Sequence, residues 1–218
     1  MEKSIENIWK EGFLKSDAMV APKVNNLYSR KSIHIIDKFK RMFKINLIAI
    51  VVFSFIALII SYFVGLPVMG IMFFVSLMVL VLINKKLLNG LDNIDKGENS
   101  YQYLKEFNNW IKNQISVNKR FATFLYPMIF LSLVFGFWFK NVGGVFLGER
   151  LVEKIIMSYP DTYLVFGIPF IGIVLVLLII IILAILGGRI YKWDLNLVYG
   201  RVLKKLEELL SDIESINS

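Results

Sequence analysis

Long apolar runs alternate with charged blocks along this 218-residue chain. The clearest run extends from Thr162 to Gly188, contains no charged residue, and consists only of Val, Leu and Ile between positions 174 and 183. A bilayer core about 30 Å thick is crossed by roughly 20 apolar residues of helix. A run this long and this apolar therefore predicts a membrane span rather than the core of a soluble domain.

Three further apolar runs have a comparable character, so the sequence predicts an all-α membrane protein with four transmembrane helices. The residues Gly65 and Leu66 alone separate the first two spans, which indicates a tight hairpin. Pro127 lies within the third span, where a helix kink is expected. The predicted spans are 45–64, 67–83, 121–139 and 163–188.

The charged blocks have apolar residues at helical spacing, which predicts amphipathic helices in 1–44, 84–120 and 189–218. Within the first block, an interruption is expected at 17–22, where Pro22 disfavours helix in the preceding residue. The segment 140–162 is predicted to be an external loop that contains a short interfacial helix. The apolar stripe of the first amphipathic helix comprises Ile5, Ile8, Trp9 and Phe13.

The C-terminal block contains a regular heptad pattern, with apolar residues spaced alternately by four and three positions. About three repeats are long enough to suggest a coiled coil that joins two chains, and they suit equally a helix that packs on the protein's own cytosolic helices. Both interpretations stay open on the sequence alone. The seam residues are Leu195, Tyr199, Val202, Leu206, Leu209, Ile213 and Ile216.

The basic residues indicate the orientation in the membrane. Of 25 Lys and Arg residues, 22 lie in the three charged blocks, and 3 lie in 140–162. The positive-inside rule therefore places both termini and the middle block in the cytoplasm, as for a multi-pass protein of the bacterial inner membrane. The net charge of +8 then indicates attraction to anionic lipid headgroups. Nucleic acid is not expected as a partner in this setting.

The composition leaves little material for catalysis or metal binding. The chain has no cysteine and one histidine, His34. The four predicted spans contain no Asp, Glu, Lys, Arg or His, which are the residues that usually form ion paths and proton relays. The acidic residues Asp92, Asp95 and Glu98 are interpreted as a solvated surface rather than a metal cluster. We therefore expect no catalytic, cofactor-binding or metal site, and no enzymatic activity.

Five segments resemble a group of uncharacterised four-span inner-membrane proteins of Bacteroidota. Members of that group are often encoded beside sigma factors of the extracytoplasmic-function type, so the resemblance implies a membrane-bound regulator or anti-sigma-like factor. The resemblance assigns no catalytic residue to this chain. The segments are IENIWK at 5–10, INKKLL at 83–88, SYQYLK at 100–105, PDTYLV at 160–165 and NLVYGR at 196–201.

Two functional hypotheses follow. In the first, the cytosolic helices bind a soluble partner, for which a sigma factor is the candidate, through the face formed by Ile5, Ile8, Trp9 and Phe13. This face has a competing role in packing on the protein's own 101–115 helix. In the second hypothesis, the chain is a structural subunit that self-associates through the 195–216 seam into a homo-oligomer or a larger membrane complex.

Overall fold

The computed structural model describes residues 5–92, 94 and 100–217, with backbone alone for 5–31, 100 and 213–217. It confirms a helical protein with four helices that are long and apolar enough to cross a membrane. A fifth helix is short and joins the third long helix to the last. The helices are α1 Ile5–Phe63, α2 Pro67–Leu91, α3 Ser100–Trp138, α4 Leu147–Ser158 and α5 Phe170–Asn217.

The four long helices run alternately up and down in one bundle. α2 packs between α1 and α3, and α3 packs along α5. We call the end with the tight turn between α1 and α2 the hairpin end. The opposite end, formed by 32–44 of α1, 84–92 of α2, 101–120 of α3 and 189–212 of α5, is called the basic end. Each long helix thus continues from an apolar half into a charged half without interruption.

The apolar half of the bundle has small polar residues inside and large apolar residues outside. Ser54 and Ser132 are fully buried, and each hydroxyl donates to a backbone carbonyl three residues earlier in its own helix. Phe63 and Phe124, in contrast, are 81% and 70% exposed. An exposed band of large apolar side chains suits contact with lipid tails, whereas small residues allow close helix packing.

Gly187 lies at the closest approach of α3 and α5. A Cβ atom added to it would lie 2.6 Å from the backbone oxygen of Ala122. Because the obstructing atom belongs to the backbone, the helices would have to separate to accept any side chain there. The glycine therefore fixes the spacing of the two helices where they leave the apolar half.

Replacement of Gly187 by alanine is expected to destabilise the bundle by about 1–3 kcal/mol, the usual range for overpacking a close contact. The free energy of unfolding in mixed detergent micelles measures the effect. Gly172, which has no atom within 4 Å of an added Cβ, is the matched control. If Gly187→Ala is as stable as Gly172→Ala, the proposed close approach is wrong.

Two boundaries differ from the sequence-based expectation. α1 is one helix from Ile5 to Phe63, so the expected interruption at 17–22 is absent. A proline removes one donor from a helix and kinks it, and the many good helix formers on both sides allow the helix to continue. α5 begins at Phe170, seven residues after the predicted start of the fourth span at 163.

Short hairpins explain the later start of α5. Leu164–Val165 pairs with Ile168–Pro169, and the intervening Phe166 and Gly167 have φ angles of 50° and 75°. Positive φ at both central positions is typical of a tight two-residue hairpin turn, which an apolar run does not reveal. A second hairpin, Asn141–Val142 with Val145–Phe146, precedes α4. Both β-hairpins lie at the hairpin end, in the connection between α3 and α5.

Candidate functional site

An aromatic and aliphatic core joins the helices at the basic end. Phe39 of α1 is 1% exposed, and its ring centroid lies 5.5 Å from that of Phe107 and 5.1 Å from that of Tyr199. Leu104 and Leu206 are equally buried. The charged segments therefore form a packed domain of their own beyond the apolar half of the bundle.

Trp110 connects this core to α2. Its indole Nε1 donates to the backbone oxygen of Leu87 at 2.9 Å, and its ring stacks on that of Phe107 with centroids 5.9 Å apart. Lys40 donates to the carboxylate of Asp92, which ties the end of α2 to α1. These contacts hold the ends of α1, α2 and α3 at a fixed register.

The described part of the C-terminal seam lies within the core of the single chain. Its first five residues are each between 1% and 8% exposed and pack with residues of α1 and α3. This arrangement corresponds to the second interpretation of the heptads, a helix that packs on the protein's own helices. Ile213 and Ile216 have side chains outside the described residues. Pairing between chains through the same seam stays a prediction, and it would require the buried residues to leave this core. The buried five are Leu195, Tyr199, Val202, Leu206 and Leu209.

The predicted partner-binding residues lie near the start of α1, and their side chains are outside the described residues. The backbone nevertheless gives their level in the bundle. Phe39 of α1 lies at the same height in the bundle as Tyr199 of α5. Because α1 and α5 are antiparallel, the last turn of α5, which ends at Asn217, reaches the height of about position 21 of α1. Phe39 is also level with Phe107, and α3 begins at Ser100, close to the level of Ser32. The residues concerned are Ile5, Ile8, Trp9 and Phe13.

Residues 5–20 of α1 therefore lie beyond the described ends of α2, α3 and α5. The structure places 36–43 of α1 beside the 101–115 segment of α3. Packing of the N-terminal stripe on that same segment involves side chains outside the described residues and stays a prediction. A helix rises 1.5 Å per residue, so this extension is about 24 Å long.

Buried amides lie where the apolar and charged halves meet. Asn84 and Asn118 exchange hydrogen bonds of 2.9 and 3.0 Å between α2 and α3, and both are nearly fully buried. Gln114 donates to Asn84 at 3.5 Å and is 3% exposed. This cluster was not predicted from the sequence. The sequence signal that could have indicated it is the four-residue spacing of Gln114 and Asn118. This spacing places two amides on the helix face that also carries Ile111.

Tyr199 differs from the other seam residues because it carries a buried hydroxyl, which faces the Asn46 side chain without a hydrogen bond of ordinary geometry among the described residues. Burial raises the pKa of this hydroxyl, and the facing Asn46 side chain lowers it to a smaller extent. The group therefore remains protonated and neutral at physiological pH. It lines a cavity that also contains Gln114.

Metal-binding geometry is not found in the part of the chain that the structure describes, where no group of three His, Cys, Asp or Glu residues is close enough to hold an ion. His34 is exposed on α1. Asp92 bonds to Lys40, whereas Asp95 and Glu98 lie outside the described residues. Two other features of the basic end are considered as candidate sites, namely the N-terminal extension of α1 and the cavity.

Comparisons with known proteins add no assignment. No protein-family model matches the chain, and neither the curated proteins nor the solved structures include a significant match.

Proposed function

We propose that this chain is a non-enzymatic protein of the bacterial inner membrane whose N-terminal helical extension binds a soluble cytosolic protein. The observation that supports this function best is the length of α1. Its residues 5–20 extend past the ends of the other described helices, although the core behind them is closed by residues of the same chain. A membrane-anchored helix that leaves its own core is available to a partner.

The orientation is part of the proposal. The basic end faces the cytoplasm, since the sequence segments 1–44, 84–120 and 189–218 together carry 22 of the 25 Lys and Arg residues. The hairpin end and α4 face the opposite side. This arrangement also places basic residues beside the anionic headgroups of the inner leaflet.

Thiol labelling tests the orientation, because the natural chain has no cysteine. Met157 on α4 is 81% exposed, and the side chain of Lys204 on α5 is 79% exposed. In spheroplasts, a membrane-impermeant maleimide is expected to label Met157→Cys, and to label Lys204→Cys only after permeabilisation. The reverse pattern would show that the basic end is external.

The chemistry of the N-terminal segment indicates the kind of partner. Ile5, Ile8, Trp9 and Phe13 are spaced as an apolar stripe, and acidic and basic residues lie between them. Such a stripe binds in an apolar groove whose rim carries mixed charges. Large aromatic residues such as Trp9 are frequent anchors in interfaces of this type.

A sigma factor is the partner that we propose for this helix. The basis is the resemblance of five segments to inner-membrane proteins of Bacteroidota that are often encoded beside extracytoplasmic-function sigma factors. Retention of such a factor at the membrane would make the chain a membrane-bound regulator of anti-sigma type. The alternative function is that of a self-associating structural subunit, which needs the 195–216 seam to pair between chains.

The two functions predict different complexes after gentle extraction in detergent. Under our proposal, the wild-type chain is recovered with a sigma factor at about equal stoichiometry, and the Ile5→Ala/Ile8→Ala/Trp9→Ala/Phe13→Ala variant loses it. The matched control replaces Glu6 and Lys10, which lie between the stripe residues, by alanine and is expected to keep the partner. Recovery of the chain alone as a discrete oligomer would contradict the proposal and favour the structural subunit. An unchanged unfolding temperature shows that each variant remains folded.

A further inference from the structure

Four exposed cationic side chains lie where α3 and α5 pass from the apolar half of the bundle into the basic end. A Cβ atom added to Gly188 would lie 2.9 Å from Cγ and Cε of Lys119, so the Lys119 side chain lies against the residue that precedes Arg189. The two helices thus bring their cations to one level. We call these residues the cation cluster, which comprises Lys119 and Arg120 of α3 and Arg189 and Lys192 of α5.

The cation cluster lies at the expected surface of the bilayer. The predicted third span begins at 121, directly after Arg120, and the predicted fourth span ends at 188, directly before Arg189. Lys192 lies one helical turn beyond Gly188 on the same face of α5. Because Gly188 lies against Lys119, the ends of the two spans are at the same height, where lipid headgroups are expected.

The charge of the cation cluster is not neutralised within the described part of the chain. α3 has no Asp or Glu between 107 and 138, and α5 has none between 170 and 193. The next residue of α5, Asp194, accepts a hydrogen bond from Tyr126. None of the four cations forms a salt bridge with another described residue. The cluster is therefore a positively charged surface that suits an anionic partner.

Apolar side chains continue the same surface toward the centre of the membrane. Ile185 lies one turn before Arg189 and is 71% exposed. Phe124 lies one turn after Arg120 and is 70% exposed. An anion that also carries acyl chains can therefore place its charge on the cluster and its chains on the apolar surface beside it.

The arrangement of the cations on two helices indicates an anion with two charged groups. Packed helices have axes about 8–10 Å apart, and each of these two helices contributes two cations. A ligand with two phosphates can form charge-assisted hydrogen bonds with both helices at once. A lipid with a single phosphate can satisfy the cations of one helix only.

We propose that the cation cluster binds a phospholipid with two phosphate groups, of the cardiolipin class, in the inner leaflet. One phosphate contacts the cations of α3 and the other contacts those of α5, and the acyl chains lie along Phe124 and Ile185. The choice of leaflet rests on the orientation in the proposed function. The binding itself depends neither on that orientation nor on the proposed sigma factor.

Native mass spectrometry of the purified full chain in neutral detergent tests the proposal. The probe is tetraoleoyl cardiolipin. One competitor is dioleoyl phosphatidylglycerol at twice the concentration, which supplies the same number of phosphates, and the other is the cardiolipin headgroup without acyl chains. We expect one cardiolipin to bind, about tenfold more tightly than either competitor. Equal binding of phosphatidylglycerol would show that the second phosphate is not recognised, and equal binding of the free headgroup would indicate a soluble phosphate compound. Either result overturns the assignment.

Variants separate this site from the general positive charge of the basic end. Lys119→Gln/Arg189→Gln removes one cation from each helix and is expected to lower cardiolipin affinity about tenfold. Arg120→Gln/Lys192→Gln removes the other two and should have the same effect. The matched control, Lys85→Gln/Lys86→Gln, removes two exposed cations that follow the predicted second span on α2. It should stay within about twofold of the wild type at physiological salt, which screens charges outside the site.

Equal losses in the control and the cluster variants would show that general charge attracts the lipid, and the assignment would be wrong. Full affinity in both cluster variants would overturn it as well. An unchanged unfolding temperature in lipid-free detergent shows that each variant is folded. Because a micelle has no inner leaflet, these results do not depend on the orientation that thiol labelling tests.

Discussion

Replacement of Phe39 by alanine is expected to lower the unfolding temperature of the detergent-solubilised protein by about 10 °C. The side chain is 1% exposed and contacts α3 and α5 through Phe107 and Tyr199, so its removal leaves a cavity at the centre of the basic-end core. Truncation of a buried phenylalanine to alanine usually costs about 3–5 kcal/mol. In a chain of this length, 1 kcal/mol corresponds to about 2–4 °C.

Trp193→Ala is the control for loss of an aromatic side chain, because Trp193 lies on α5 and is 83% exposed. Its unfolding temperature should change by no more than about 1 °C, as for most exposed substitutions. Equal effects of the two substitutions would mean that the charged halves of the helices do not pack as described. The measurement is a thermal scan by circular dichroism.

The second large effect concerns the amide pair between α2 and α3. Asn118→Leu leaves the Asn84 amide buried with its reciprocal hydrogen bonds lost, and is expected to cost about 1–3 kcal/mol of unfolding free energy. Asn84→Leu should cost a similar amount. The double variant removes both amides of the reciprocal pair and is expected to be closer to the wild type than the sum of the single variants, because neither amide is left buried without the other. Gln114 then loses only its longer bond to Asn84, of 3.5 Å.

A double-mutant cycle in mixed micelles measures this coupling. Residues in direct contact usually show coupling energies of about 0.5–3 kcal/mol. Additive single effects would show that Asn84 and Asn118 do not interact. Ser76→Ala/Ser132→Ala provides a control cycle, since these buried hydroxyls bond within their own helices, to the backbone oxygens of Met72 and Ile129.

The helical character of the chain and its four long apolar helices could be predicted from hydropathy. The reason is physical, since a span without charged residues has few alternatives to a membrane helix. The start of α5 could not be predicted in the same way. Residues 163–169 contain no charged residue and continue the apolar run of the helix that follows, and the turn at Phe166 and Gly167 depends on backbone conformation rather than on hydrophobicity.

The candidate sites depended more on tertiary structure. The heptads of α5 identify a buried face, but heptad spacing is the same whether the partner helix belongs to the same chain or to another. The contacts of Phe39 with Phe107 and Tyr199 show that the segment of α1 around position 39 packs on α3 and α5, which the spacing pattern alone does not reveal. The cavity could not be found from the sequence, because Gln114 and Tyr199 are 85 positions apart and only the bundle brings both to one wall.

In the proposed function, residues 5–20 contact a soluble cytosolic protein. Site-specific photocrosslinking in living cells tests this contact, with a photoreactive amino acid at position 5, 8, 9 or 13 and, as controls, at position 6 or 10. We expect the stripe positions to crosslink to one sigma factor and the control positions to do so weakly. Crosslinks from the stripe to lipid alone, or to the protein's own α3 or α5, would contradict it.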